Sequence, residues 1–122
     1  MLDHFQDFKM SLDVSLTEDV YDSRGRFRDT IEVFDYNITH NLTHMAKAAG
    51  VYEKLWYPLE AKASELVDPL VMGIKTMVED KERLIEFNPD NGWGNYDTLL
   101  EFMLEYLKAC LKYPDAAVRI CR

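Results

Sequence analysis

His40 and His44 stand one helical turn apart, and imidazoles at that spacing on one helix face can share a metal ion. A zinc hydrolase would also need a general base directly after the first histidine. Asn41 stands there instead, and no third ligand lies at a diagnostic distance. On a helical wheel His40, His44 and Lys47 fall opposite Ile38, Leu42 and Met45, so a solvated polar face explains them better than a metal centre. Neither a metal nor another cofactor is expected.

Arg24, Arg26 and Arg28 form a second constellation. Alternate residues of a strand share a face, so the guanidiniums of Arg26 and Arg28 are spaced to hold a phosphate or carboxylate together. Pairing with Asp22, Asp29 and Glu32 is the competing and stronger reading. The loop Asn91-Gly92-Trp93-Gly94-Asn95 has neither GxGxxG spacing nor a following Lys-Ser or Lys-Thr, which argues against a nucleotide cradle. Trp93 is expected to pin this loop on the core, and an exposed Trp93 would instead be a contact residue. Cys110 falls in an apolar helical arc and Cys121 has no activating base, so covalent catalysis has no candidate. No carboxylate pair is singled out by spacing, and no enzyme is expected.

The elements that must position these residues follow from hydrophobic period. Phe8, Met10, Leu12, Val14 and Leu16 alternate with Lys9, Ser11, Asp13 and Ser15, the pattern of a half-buried strand. A second strand is predicted from about Phe27 to Tyr36, with Asp22-Ser23-Arg24-Gly25 as the turn of an antiparallel hairpin. Helical spacing begins at Ile38, with Asn37 as N-cap and Gly50 as the residue that stops the helix. The stripe Leu59, Ala63, Leu66, Leu70, Ile74 and Met77 predicts one long helix kinked at Pro69; the alternative starts a new helix there, with Asp68 as its cap. A short segment, Lys81 to Phe87, precedes the Asn88–Asn95 loop. The clearest helix, capped by Asn95, runs from Tyr96 to the stop at Pro114, and Ala116 to Cys121 is a possible third strand.

These elements make one domain, residues 1–122, of α+β class: a small antiparallel sheet, the N-terminal hairpin plus a possible C-terminal strand, packed on about three helices. Phe102, Tyr106 and Tyr113 widen the apolar arc of the last helix to roughly 220°. Such a helix is covered on two sides within the domain or meets another chain, so a homo-oligomer through these three residues is one of two readings.

The chain carries 14 Lys plus Arg against 22 Asp plus Glu, a formal charge of -8. Residues 1–36 hold 9 acidic and 4 basic groups, and residues 59–95 hold 8 and 4. That balance excludes direct nucleic-acid binding, which needs a positive footprint. The opening Met1-Leu2-Asp3-His4-Phe5-Gln6-Asp7 has neither a basic nor an apolar targeting region, no stretch is apolar enough for a membrane, and a cytoplasmic protein is expected.

Three segments carry a resemblance: Tyr36-Asn37-Ile38-Thr39-His40-Asn41-Leu42 with Met45-Ala46, Asn91-Gly92-Trp93-Gly94 with Tyr96, and Tyr106-Leu107 with Ala109-Cys110 and Tyr113-Pro114-Asp115-Ala116. Over roughly residues 36–122 the chain resembles a group of small, largely uncharacterised phage and prophage proteins. The resemblance implies a viral setting, in which small acidic proteins block host defence by occluding a protein surface, mimicking DNA charge or sequestering a signal molecule. The leading expectation is therefore a non-catalytic inhibitor, anti-CRISPR-like or otherwise anti-defence, that binds a host protein such as a nucleic-acid-binding defence nuclease in the bacterial cytoplasm. The alternative is a protein that binds a small phosphorylated ligand, a nucleotide or signal molecule, through Arg24, Arg26, Arg28, His40, His44 and Trp93. A metal-dependent hydrolase using His40 and His44 comes third.

Overall fold

The computed structural model describes residues 10–59 and 61–122. The first alternating positions, Phe8 and Lys9, lie outside them. Strand β1 (Ser11–Tyr21) buries Leu12, Val14 and Leu16 and turns Ser11, Asp13 and Ser15 to the other face, as period two requires. Strand β2 (Phe27–Thr39) pairs with it antiparallel, setting Ile38, Tyr36 and Phe34 beside those three buried residues. Strand β3 (Ala117–Cys121) adds to the other side of β1, so the sheet order is β2-β1-β3. The hairpin closes through Ser23-Arg24-Gly25, with Gly25 at φ +78°, the left-handed residue that a three-residue hairpin loop needs.

The first helix differs from its expectation. β2 continues through Asn37 to Thr39, and the Asn37 amide donates to Ser11 Oγ (2.8 Å) and to the Asp13 carboxylate across the strands instead of capping a helix. Thr39 takes the capping role, accepting from the Asn41 N–H (3.2 Å) at a 3-10 turn, His40–Leu42, before helix α1 (Thr43–Ala48). α1 ends where Gly50 predicted. Gly50 (φ +78°) donates to Lys47 O and Val51 to Ala46 O, both at 3.0 Å, the paired bonds of a Schellman stop. Helix α2 (Tyr52–Trp56) follows.

The long kinked helix is also corrected. A 3-10 turn at Ala63–Leu66 precedes helix α3 (Val67–Glu79), and Leu59 is exposed. Pro69 is the third residue of α3, within the first turn, where a missing N–H costs no helical bond and no kink is needed. Helix α4 (Lys81–Ile85) leads into the loop, and helix α5 (Tyr96–Lys112) starts at a reciprocal cap. Asn95 Oδ1 accepts from the Thr98 N–H (3.0 Å), and Thr98 Oγ1 accepts from the Asn95 N–H (3.1 Å). The fold is thus α+β, a three-stranded sheet with, among the described residues, two long helices and three short ones.

α5 sits between the sheet and α3. On its sheet side Tyr106 stacks on Phe34 (5.7 Å between ring centroids), and Phe102 meets Tyr36 (5.2 Å) and Trp56 (6.5 Å). Phe102 and Tyr106 are both 0% exposed. The chain covers these two rings itself, so they offer no surface to a second copy, and only Tyr113 of the expected oligomer stripe keeps partial exposure. On the α3 side Gly73 lets Val51 and Met103 close in, and Tyr96 Oη donates to Met77 O (2.6 Å). All buried apolar side chains join one core cluster.

Two substitutions test this packing. A methyl at Gly73 would run into Val51 and Met103. Gly73→Ala should therefore lower stability by about 1–3 kcal/mol in urea denaturation, against the roughly 1 kcal/mol that Ala gains in helix propensity. The Tyr106 hydroxyl is buried without a hydrogen-bond partner among the described residues. Tyr106→Phe removes that unsatisfied group and should raise the melting temperature, with a gain on the order of 1 kcal/mol.

Candidate functional site

The strands are longer than the helix that covers them. Seventeen residues of α5 span about 26 Å, whereas the thirteen of β2 span about 43 Å. Beyond Thr17 and Val33 the hairpin contributes no residue to the core, and it continues as a two-stranded arm. β3 pairs only with Asp13–Thr17, so Glu18–Tyr21 have no strand on that side. The arm therefore exposes large apolar side chains. Tyr21 (55% exposed) and Phe27 (57%) meet edge to face at 6.0 Å near its tip, and Val20 and Ile31 are exposed lower down. Its strands carry the carboxylates Glu18, Asp19, Asp29 and Glu32, with Asp35 closer to the body, and its tip carries Arg24, Arg26 and Arg28. Asp19 accepts from Thr30 Oγ1 (2.7 Å), which ties the two strands together on the outer face.

The arginines lie at the arm's end. Asp22 organises the turn, its Oδ1 accepting from the backbone N–H groups of Arg24 (2.9 Å) and Arg26 (3.0 Å) and its Oδ2 from Arg26 Nε (3.0 Å). The Arg26 N–H is the largest of the contacts that hold the Asp22 carboxyl below the usual carboxylate range. Arg26 is thus engaged by Asp22, the pairing weighed against an anion grip. Arg28 falls in a β-bulge, because the register steps from Val20↔Asp29 to Tyr21↔Phe27. The bulge breaks the alternation that would set Arg26 and Arg28 on one regular face.

The histidines separate. His40 belongs to the 3-10 turn and His44 to α1, so the one-face i, i+4 geometry is lost. Trp56 Nε1 donates to His40 Nδ1 (3.0 Å), and since an indole N–H only donates, that nitrogen carries the ring's lone pair. His44 is exposed. Among the described residues no three His, Cys, Asp or Glu side chains group so as to hold a metal ion. His40 also follows the foot of β2 while the arginines flank its start, about 40 Å of strand away. The structure therefore does not gather the arginines and histidines into one ligand site.

Trp93 is 63% exposed and does not pin its loop. Gly94 does that. At φ +87° it packs against Thr39 and Leu42, where an added Cβ would come within 2.9 Å of Thr39 Cγ2. Asn91 Oδ1 accepts from the Trp93 N–H (2.9 Å), and Asn41 reaches the same oxygen at 3.5 Å. The Thr39–Leu42 turn and the Asn91–Gly94 loop, far apart in sequence, are neighbours with Trp93 standing out beside them.

Two features escape a sequence reading. Tyr21 and Phe27 look like ordinary strand residues until strand and helix lengths are compared. Glu101 and Glu105 of α5 come close to Tyr36 of β2. Burial first, then these two carboxylates, raise the Tyr36 phenol above its ordinary value. On the opposite sheet face Asp13, Glu32 and Asp35 line a cleft of about 340 Å³ with Asn37. β2 thus has carboxylates along its outer face, and two more from α5 act on its Tyr36. No helix among the described residues is long and apolar enough to cross a membrane. No family model, curated protein or solved structure matches the chain.

The cysteines have opposite environments: Cys121 is exposed, and burial pushes the Cys110 thiol up to about 12. Cys110 therefore stays protonated across the physiological range. At about pH 8 an aromatic disulfide reagent should modify Cys121 alone in the native chain and both thiols in denaturant, which absorbance of the released thiolate reads directly.

Proposed function

We propose that the chain is a non-catalytic inhibitor of the phage anti-defence kind, whose acidic arm and sheet face occupy a basic, nucleic-acid-binding surface of a host protein. The observation that supports this most is the arm, a two-stranded projection with Tyr21 and Phe27 exposed near its tip, arginines at the turn and carboxylates along its strands. Aromatic anchors rimmed by charge are the composition of an interface centre. The pair stabilises the hairpin tip, but both rings remain more than half exposed, as residues of a contact surface are. The charge of -8 favours approach to a basic surface and repels nucleic acid itself, so the two would compete for one groove. On this reading the protein works in the cytoplasm of the host cell. The small-ligand alternative loses support because its arginines and histidines lie at opposite ends of β2.

The test is capture of a host protein from bacterial lysate by the untagged chain, identification by native mass spectrometry, and titration of the purified pair. A stoichiometric complex is expected, released by duplex DNA and weakened by salt. Tyr21→Ala with Phe27→Ala should raise its Kd by at least about 30-fold while circular dichroism stays unchanged. Neutralising Asp19, Glu32 and Asp35 to their amides should slow association. A complex indifferent to both sets of changes, or one that DNA fails to displace, counts against the proposal.

A further inference from the structure

The two edges of the sheet are finished differently. At β3 the chain covers its own edge: Lys62 bridges Ala117, Val118 N–H donates to Ala61 O (3.2 Å), and Ala63 N–H donates to Ala116 O (2.9 Å). At β2 no strand follows, and among the described residues its backbone pairs only with β1. The register identifies the open groups. His40 donates its N–H to Met10 O (3.1 Å). The alternation of an antiparallel pair then turns the N–H groups of Ile38, Tyr36 and Phe34 towards β1 and those of Asp35, Asn37 and Thr39 to the open side. A bulge at Val33, between Leu16↔Phe34 and Thr17↔Glu32, ends the regular run, so the straight edge is Phe34 to Thr39.

We propose that this edge receives an extended Lys- or Arg-rich segment of a protein partner as a fourth strand of the sheet. The proposal rests on the reading of the chain as a protein-binding module and names the chemistry of the segment bound. Charge complementarity selects the occupant. Asp35 and Glu32 bound the edge on the outer face, and on the helix side the fields of Glu101 and Glu105 reach the Tyr36 phenol. Lys108 offsets Glu105 (3.1 Å), which leaves the balance acidic. Side chains of an added strand alternate between the two faces of the sheet, so basic residues on the outer face meet Glu32 and Asp35 while apolar ones on the other lie against the half-buried Phe34 and Tyr36 rings. A second copy of the chain is a poor occupant, because β2 against β2 sets these carboxylates against their own kind. Nucleic acid has the wrong sign.

The experiment is amide hydrogen exchange on the full chain by NMR, with and without a blocked peptide of about eight residues alternating Lys and Val. The Asp35, Asn37 and Thr39 amides should exchange quickly in the free chain and at least about tenfold more slowly with the peptide. The same peptide N-methylated at alternate residues should give no protection, and Asp35→Asn with Glu32→Gln should weaken binding several-fold. Slow exchange of those amides in the free chain, no added protection with the peptide, or equal binding of the N-methylated form would each overturn the proposal. Capture through Tyr21 and Phe27 is read separately: a failed peptide with capture intact removes the edge site alone, and lost capture with edge protection intact removes the arm reading alone.

Discussion

The contact between α5 and β2 organises the molecule. Phe102 and Tyr106 present two rings to Phe34 and Tyr36, and Trp56 closes the end of the row. Each aromatic pair adds about 0.5–1.5 kcal/mol beyond the area it buries. More important is what the row fixes. It sets the sheet's inner face on one side of α5 and leaves the other for α3, where Gly73 allows close approach. Because the row stops at Phe34, it also decides where the core ends and the arm begins.

Much of this was legible in the sequence, since the relevant signals are local. Alternation from Leu12 to Leu16 places one face inward whatever follows, and the turn at Asp22 to Gly25 carries its own hydrogen-bonding chemistry. The Asn95 cap and the Gly50 stop are likewise settled within a few residues. The errors arise where two local signals compete and a distant partner decides. Asn37 has the side chain of a helix cap, but Ser11 and Asp13 across the hairpin take its amide, and the strand runs two residues further. The stripe around Pro69 has helical period throughout. Part of it is instead a 3-10 turn held by Ala63 N–H to Ala116 O and Ser64 N–H to Pro114 O, bonds to the segment leading into β3.

The candidate site was legible only in its charge. The acidic excess of residues 1–36 is visible by counting, but Glu101 and Glu105 join it only through the packing of α5 on β2. The residues singled out by type do not gather into one place. Arg26 serves the turn with Asp22, and His40 accepts from Trp56. Trp93 reverses its expected role because Gly94 makes the close contact with Thr39 and Leu42, and a glycine that anchors a loop frees the neighbouring large side chain to face water. Phe102 and Tyr106 show the opposite failure: a wide apolar arc cannot say whether its second side is covered by the same chain.

An unpaired strand edge is a hazard, and acidic side chains beside it are one of the ways proteins keep such edges from joining one another. That defence has a direction. Carboxylates along β2 repel a second β2 and any other acidic edge, but they attract an extended segment of opposite charge. The bulges at Val33 and Arg28 shorten the straight run without removing it. Like-charge repulsion near the surface is screened within about 8 Å at physiological salt, so it acts mainly at the range of a paired strand. The carboxylates that hinder edge-to-edge pairing are thus, on this proposal, the ones that would admit a basic partner, and the protection at β3, made of backbone bonds to Ala61–Ala63, carries no such preference. On the same proposal, selectivity for charge resides at the edge the chain leaves open.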